Sequence, residues 1–276
     1  MATNAEKNLE IGSPRPTEDT PAIVRFIDRW LYVIMAALFV ATALAGFVPA
    51  SIIKVNAMIA GERPWFPPVA HAHALLMGTW LLLLLFQSWL MATHRRQLHW
   101  RVGLLSIAVV PAMVVAGALL VIATHEQLVV TLAESPPARG SRGLLASVAS
   151  ANNILLTQMR MGIMFGACFA WALTVRRTNP GLHKRLMFLG TVVLLPPAFA
   201  RITFLPNTMP DSPIGQDLYT LLWISPMLLW DLYRQRTLHR AYLIWLSLLV
   251  PMSLVVYLLW GDPAWMELAP QIVGTS

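Results

Sequence analysis

The chain is poor in charge. Only 12% of its 276 residues are Asp, Glu, Lys or Arg, against roughly 25% in a soluble domain. So few charged residues cannot coat the surface of a dissolved protein. It holds one cysteine, Cys168, inside an apolar block, which excludes an intrachain disulfide framework. No HExxH, GxSxG or nucleophile–base pattern occurs, which argues against a membrane-embedded hydrolase. The last apolar run, 241–260, contains no lysine, which excludes a retinal protein of the Schiff-base type. Residues 1–22 lack the apolar stretch of a cleavable signal peptide and are rich in Pro, Glu and Thr. They are expected to form a disordered cytoplasmic tail. The net charge of +7 does not indicate nucleic acid, because the basic residues are scattered among short loops and form no stripe.

What the chain does have is apolar sequence, 57% of residues, in blocks long enough to cross a bilayer, which takes about 20 residues as a helix. Seven such blocks are predicted at 30–49, 69–92, 102–124, 154–175, 186–204, 218–233 and 241–260, the sixth with room to extend upstream to Ile214. The expected fold is therefore an all-α integral membrane bundle of about seven transmembrane helices. Its seven-helix domain covers 23–268, and 269–276 forms a short outer tail. With the N-terminus inside, fourteen Lys and Arg fall in inner segments and four in outer ones (Lys54, Arg63, Arg139 and Arg142), while Arg160 and Arg201 are embedded. The positive-inside rule then places the N-terminus in the cytoplasm and the C-terminus outside, with the protein in the inner (plasma) membrane.

Three inner turns share a pattern. RRQLHWRVG, RRTNPGLHKRLM and RQRTLHRAYL each carry a Leu-His pair (His99, His183 and His239), followed 12 or 13 residues later by Pro111, Pro196 or Pro251. They imply three related hairpins, spans 2–3, 4–5 and 6–7, with span 1 added. Parallel repeats of this kind occur in membrane folds.

Embedded polar residues are the best pointers to function, because a bilayer makes them costly. His73, Trp80, Gln87 and His94 recur every seven residues, so they share one stripe of span 2 that should face the bundle interior. His71 lies about 160° away on an ideal helix. On span 4, Asn153, Thr157 and Arg160 share a face, and Arg160 sits ~24 Å from Arg176 at the inner end, where it needs a partner. No embedded carboxylate is evident on this reading, and Asp211 and Asp217 are the nearest candidates. Gly162, Gly166 and Ala170 form a small-xxx-small face that suits close helix packing. Pro196-Pro197 should kink span 5 just before Arg201. The expected outward-facing ligand pocket is His71, His73, Trp80, Gln87, Asn153, Arg160 and Arg201, with His125 and Asn152 nearby. His94, His99, His183 and His239 form a second set at the inner headgroup level, where they could meet anionic lipid.

The stretch HAHALLMGTWLLLLLFQSWLMATHRRQLHWRVG resembles uncharacterised bacterial multi-pass inner-membrane proteins with an outer His, an inner Gln and an LHRxLG-like turn. LHKRLMFLGTVVLLPPAFAR is similar to a second pattern of that group. The resemblance covers about half of the chain, and Trp100 and Val102 depart from it. More remotely, the helix–LHR–helix layout resembles b-type di-haem membrane cytochromes. That likeness implies His99 and His183 as an inner haem pair. The outer pair has no counterpart, since span 4 has no histidine to face His71 or His73.

Three functional readings follow. The first is a redox or metal protein holding one haem b, or a divalent metal through His71, His73 and His125. The second is binding or transport of an anionic or lipid-like ligand by Arg160 and Arg201. The third is a non-catalytic scaffold subunit of a membrane complex.

Overall fold

The computed structural model describes residues 20–134 and 141–275. Most of the predicted tail, together with Arg139, lies outside the described residues. These form ten helices: α1 (Ala22–Ile59), α2 (Pro68–Ala92), α3 (Arg96–Gly103), α4 (Leu105–Glu134), α5 (Ser141–Val175), α6 (Pro180–Val192), α7 (Pro196–Phe199), α8 (Ile214–Gln235), α9 (Arg240–Leu259) and α10 (Pro263–Val273). No strand occurs among them. Five stretches are long and apolar enough to cross a membrane: Ala22–Ile59, Pro68–Ala92, Arg96–Thr131, Ala146–Val175 and Arg240–Leu259.

The other two predicted spans differ from these in an instructive way. Span 5 is broken, not merely kinked. Pro196 and Pro197 have no N–H to continue the ladder, so α6 stops at Val192 and the chain turns through short i→i−3 bonds from Leu194 to Thr191 and from Leu195 to Val192 before the single turn of α7. Span 6 does extend to Ile214, giving the 22-residue α8, but this helix carries Asp217, Asp231 and Arg234.

Short as it is, α6 is the axis of the bundle. Leu182, Leu186, Leu189 and Val192 are fully or almost fully buried. Phe188 packs on Tyr32 and Phe39 of α1, with ring centroids 5.1 and 5.8 Å apart. Trp80 of α2 donates to Thr191 Oγ1 at 3.2 Å. At Gly190 an added Cβ would lie 2.8 Å from Cβ of Cys168 on α5. Ended early before Pro196-Pro197, α6 has only 13 residues, fewer than the roughly 20 that cross a bilayer, which is why it reads as a weak membrane span.

Around this axis α1 packs on α2, α2 on α4, and α4 on α5, while α9 lies against α5 and α6, and α8 against α6, α7 and α1. The first two predicted hairpins pack as hairpins. In the third, α8 and α9 flank α6 and are bridged chiefly by side chains. Close backbone approach occurs at Gly46, where a Cβ would lie 2.8 Å from Cα of Ala198 in α7. The small face expected to pack does not: Gly162 and Gly166 have nothing within 4 Å of an added Cβ, so among the described residues that stripe meets no neighbouring helix. Near the C-terminus, α10 buries Trp265, Ala269 and Val273 against Leu155, Leu156 and Val256. The expected outer tail is thus a packed helix as far as Val273.

Candidate functional site

The first turn of α6 carries a run of three ionisable residues. Asn179 caps it by accepting from the Leu182 N–H at 2.9 Å, and Pro180 starts the helix. His183, Lys184 and Arg185 then follow at about 100° intervals, so each faces a different neighbour.

Arg185, fully buried, faces α8 and α9. Its Nε donates to Asp231 Oδ2 at 2.6 Å and its Nη2 to Asp231 Oδ1 at 2.5 Å, while Nη1 donates to the Gly181 carbonyl at 2.9 Å. Tyr242 of α9 donates its hydroxyl to Asp231 Oδ2 at 2.6 Å. Lys184 faces α1, its Nζ 4.6 Å from the Tyr32 ring centroid. Arg185, Asp231 and Asp28 all lie within electrostatic reach of its ammonium. His183 faces α5 and α3. Its Nδ1 donates to the Ala172 carbonyl at 2.9 Å. His99 and Arg176 lie within electrostatic reach of its ring.

His99 is therefore near enough to His183 to act on it, and its own ring lies beside the Gln87 backbone. Nδ1 of His99 and both Oε1 and Nε2 of Gln87 are buried with no hydrogen-bond partner. Gly103 presents no side chain here, and a Cβ at that position would sit 3.5 Å from Gln87 Nε2. Arg177 lies over the Trp100 ring at 5.5 Å. The result is a buried carboxamide beside one imidazole, with the His183 ring within electrostatic reach and Arg176 and Arg177 nearby.

The predicted outer pocket is placed differently. Arg160 is buried and paired: Nη1 donates to Asp217 Oδ2 at 2.8 Å and to Ser253 Oγ at 2.7 Å, and Nη2 to Asp217 Oδ1 at 2.5 Å. Tyr257 donates to the same carboxylate at 2.7 Å. Arg201 donates to the Pro197 carbonyl at 2.5 Å and lies 4.8 Å over the Phe47 ring. Asn153 Oδ1 accepts from the Gly261 N–H at 2.8 Å. His71 is exposed, edge-on to Phe66. His73 packs on Gly117 of α4, where a Cβ would be 3.2 Å from its ring. His125 is buried and donates to the Val121 carbonyl at 3.1 Å.

Each of these residues thus has its own local contact. Among the described residues no three His, Cys, Asp or Glu side chains group to hold a metal ion, so the set His71, His73 and His125 does not converge as a divalent-metal site. The stripe on α2 faces inward as far as Gln87, but Trp80 is core, edge-on to Phe165 and Phe169. His94 lies beyond the helix end, exposed in a turn at φ +62°.

Sequence reasoning missed Asp231, a carboxylate inside the predicted sixth span. Its partner Arg185 was counted among the inner loop charges. The signal was an Asp within the end of an apolar run, which needs a cation. No family model, no curated protein and no solved structure matches the chain.

Proposed function

We propose that this is a seven-pass inner-membrane protein, N-terminus cytoplasmic and C-terminus outside, that binds a small anionic ligand at the inner Gln87–His99–His183 site. The ligand class is a phosphate group that keeps a hydroxyl, either a lipid headgroup or a free solute. Seven passes follow if α6–α7 and α8 cross as the fifth and sixth. In support, α8 is tied to α9 near both ends, through Asp217 to Tyr257 and through Asp231 to Tyr242, two carboxylates ~21 Å apart along the helix.

The observation that carries the binding reading is the Gln87 carboxamide, buried with neither polar atom partnered. Such a group costs roughly 1–3 kcal/mol unless something bonds to it. A ligand that both donates and accepts would satisfy it, and the neighbouring Arg176 and Arg177 favour an anion. The expectation of Arg160 as the anion-binding group is replaced, because Asp217 already neutralises it.

Equilibrium binding to the purified protein tests this, with short-chain phosphatidic acid and inorganic phosphate as separate probes. Gln87→Leu and His99→Leu should each weaken the bound probe at least about tenfold, equivalent to ~1.4 kcal/mol, with the melting temperature retained. Unchanged binding in both variants refutes the reading. Preference for one probe identifies the source of the anion.

A second reading rests on the closeness of His99 and His183. With Nδ1 of His183 donating to the Ala172 carbonyl, its Nε2 keeps the lone pair that a metal-bound imidazole uses. His99 and His183 would hold one b-type haem, which would supply one-electron chemistry. A Soret band in the purified protein, lost in His183→Ala, supports this reading. Protein purified from haem-replete cells without such a band excludes it.

A further inference from the structure

A separate feature lies on the outer surface of the bundle, between α1 and α2. Val33, Leu82, Leu85, Phe86 and Trp89 line an apolar groove of about 470 Å³. Phe86 and Trp89 stack with their planes 17° apart and centroids 5.8 Å apart, making a flat aromatic wall. The groove leads to two arginines at one end of both helices. Arg95 lies over the Trp89 ring at 5.0 Å. Arg29 donates its Nε–H to the Ala92 carbonyl at 2.8 Å, which joins the start of α1 to the end of α2. Both arginines are exposed, and neither forms an ion pair among the described residues.

We infer that this groove is a site for one anionic phospholipid, with its phosphate between Arg29 and Arg95 and an acyl chain along Phe86 and Leu82. The chemistry is complementary at both ends. Arg29 spends one donor on Ala92 and keeps its terminal nitrogens for a phosphate, the anion that a guanidinium fork matches best. Arg95 is held in place by the Trp89 face, an arrangement that positions the cation at little entropic cost. An apolar chain lying in the groove covers Leu82 and Phe86, which are otherwise exposed. The site is independent of the Gln87–His99–His183 reading, because it uses another face of α2.

The test is native mass spectrometry of the full-length protein extracted from vesicles of equal phosphatidylglycerol and phosphatidylcholine with matched chains. The wild type should retain one phosphatidylglycerol in preference. Arg29→Gln and Arg95→Gln should each lower that preference roughly fivefold, as one surface arginine is worth, and the double variant should abolish it. Arg63→Gln, at the opposite end of the bundle, should leave it intact. Equal retention of both lipids by the wild type, undiminished preference in the double variant, or equal loss in Arg63→Gln would each overturn the proposal. A matching melting temperature for the double variant and the wild type shows that the fold is kept.

Discussion

The two ends of α8 carry the same device in different surroundings. At each end an Asp of α8 accepts two hydrogen bonds from an Arg and one from a Tyr of α9: Arg185–Asp231–Tyr242 on one side, Arg160–Asp217–Tyr257 on the other. On the proposed topology Asp231 marks the inner end and Asp217 the outer; the inner Arg and Asp side chains are 0% and 3% exposed, the outer pair 5% and 16%. Identical groups therefore have unequal access to water. The inner carboxylate depends wholly on its protein partners, whereas the outer one has a partly solvated alternative. The inner triad is consequently the structural lock of the bundle and the outer triad a softer clasp.

The largest effect should come from breaking the inner pair. Asp231→Asn leaves the Arg185 guanidinium buried without its counter-charge, at a cost of about 3–5 kcal/mol. Reversible unfolding in mixed micelles measures it. Replacing both charges, with Arg185→Met and Asp231→Leu together, should recover most of that loss, because an apolar pair of similar size avoids the desolvation penalty. Next comes Asp217→Asn. Its partial exposure should hold the loss to about 1–2 kcal/mol, between the values for exposed and fully buried pairs. A loss at Asp217 equal to that at Asp231 would erase the distinction between lock and clasp.

Much of the fold was legible from the sequence because hydropathy reports long apolar runs directly. The helices α1, α2, α4, α5 and α9 follow from it almost unaided. The role of α6 did not, because burial against protein and burial in lipid favour the same residue types. The double proline announced a bend, but only packing shows that α6 ends there and that the bundle is built around it. Pairing was the least legible property. Asp217 was named as a possible partner for Arg160 because it lies near the same membrane end. Arg185 and Asp231 are 46 positions apart, and a basic residue in a turn looks the same whether it snorkels or turns inward. The histidine pattern misled in another way: seven-residue spacing correctly gives one helical face, but it does not separate the core Trp80 from the unpartnered Gln87.

Acid distinguishes the two ends by a smaller effect. His239 accepts the Ala241 N–H on Nδ1 at 3.1 Å and so caps α9 beside the inner triad. Burial, with help from Arg185, Lys184 and Arg240 and against Asp231, pushes its imidazole down to about 4 from an ordinary 6.5. Between those values the unfolded chain binds a proton that the folded chain refuses. Stability therefore falls as pH drops from about 6.5 to about 4, and it is insensitive to this group above 6.5. Protonation also removes the cap, which is worth about 1 kcal/mol. The outer triad contains no histidine, so amide exchange at pH 5 should accelerate at the start of α9 and not near Tyr257. His239→Asn keeps a capping acceptor that does not titrate, and it should remove part of the acid slope. Equal acceleration at both ends of α9 would contradict the assignment.

The smallest effect separates the two tyrosines. Each hydroxyl donates to a carboxylate already held by an arginine, so its removal leaves that oxygen with one remaining donor. Tyr242 is 3% exposed, and water cannot readily replace its hydroxyl, so Tyr242→Phe should cost about 1 kcal/mol. Tyr257 is 38% exposed. Water can reach the Asp217 oxygen once its hydroxyl is gone, which should hold Tyr257→Phe to about 0.5 kcal/mol. Unfolding of the two variants under one set of conditions gives the difference directly. A larger loss at Tyr257 would mean that the outer clasp draws its strength from the hydroxyl instead of from Arg160, and that solvent access does not rank the two ends.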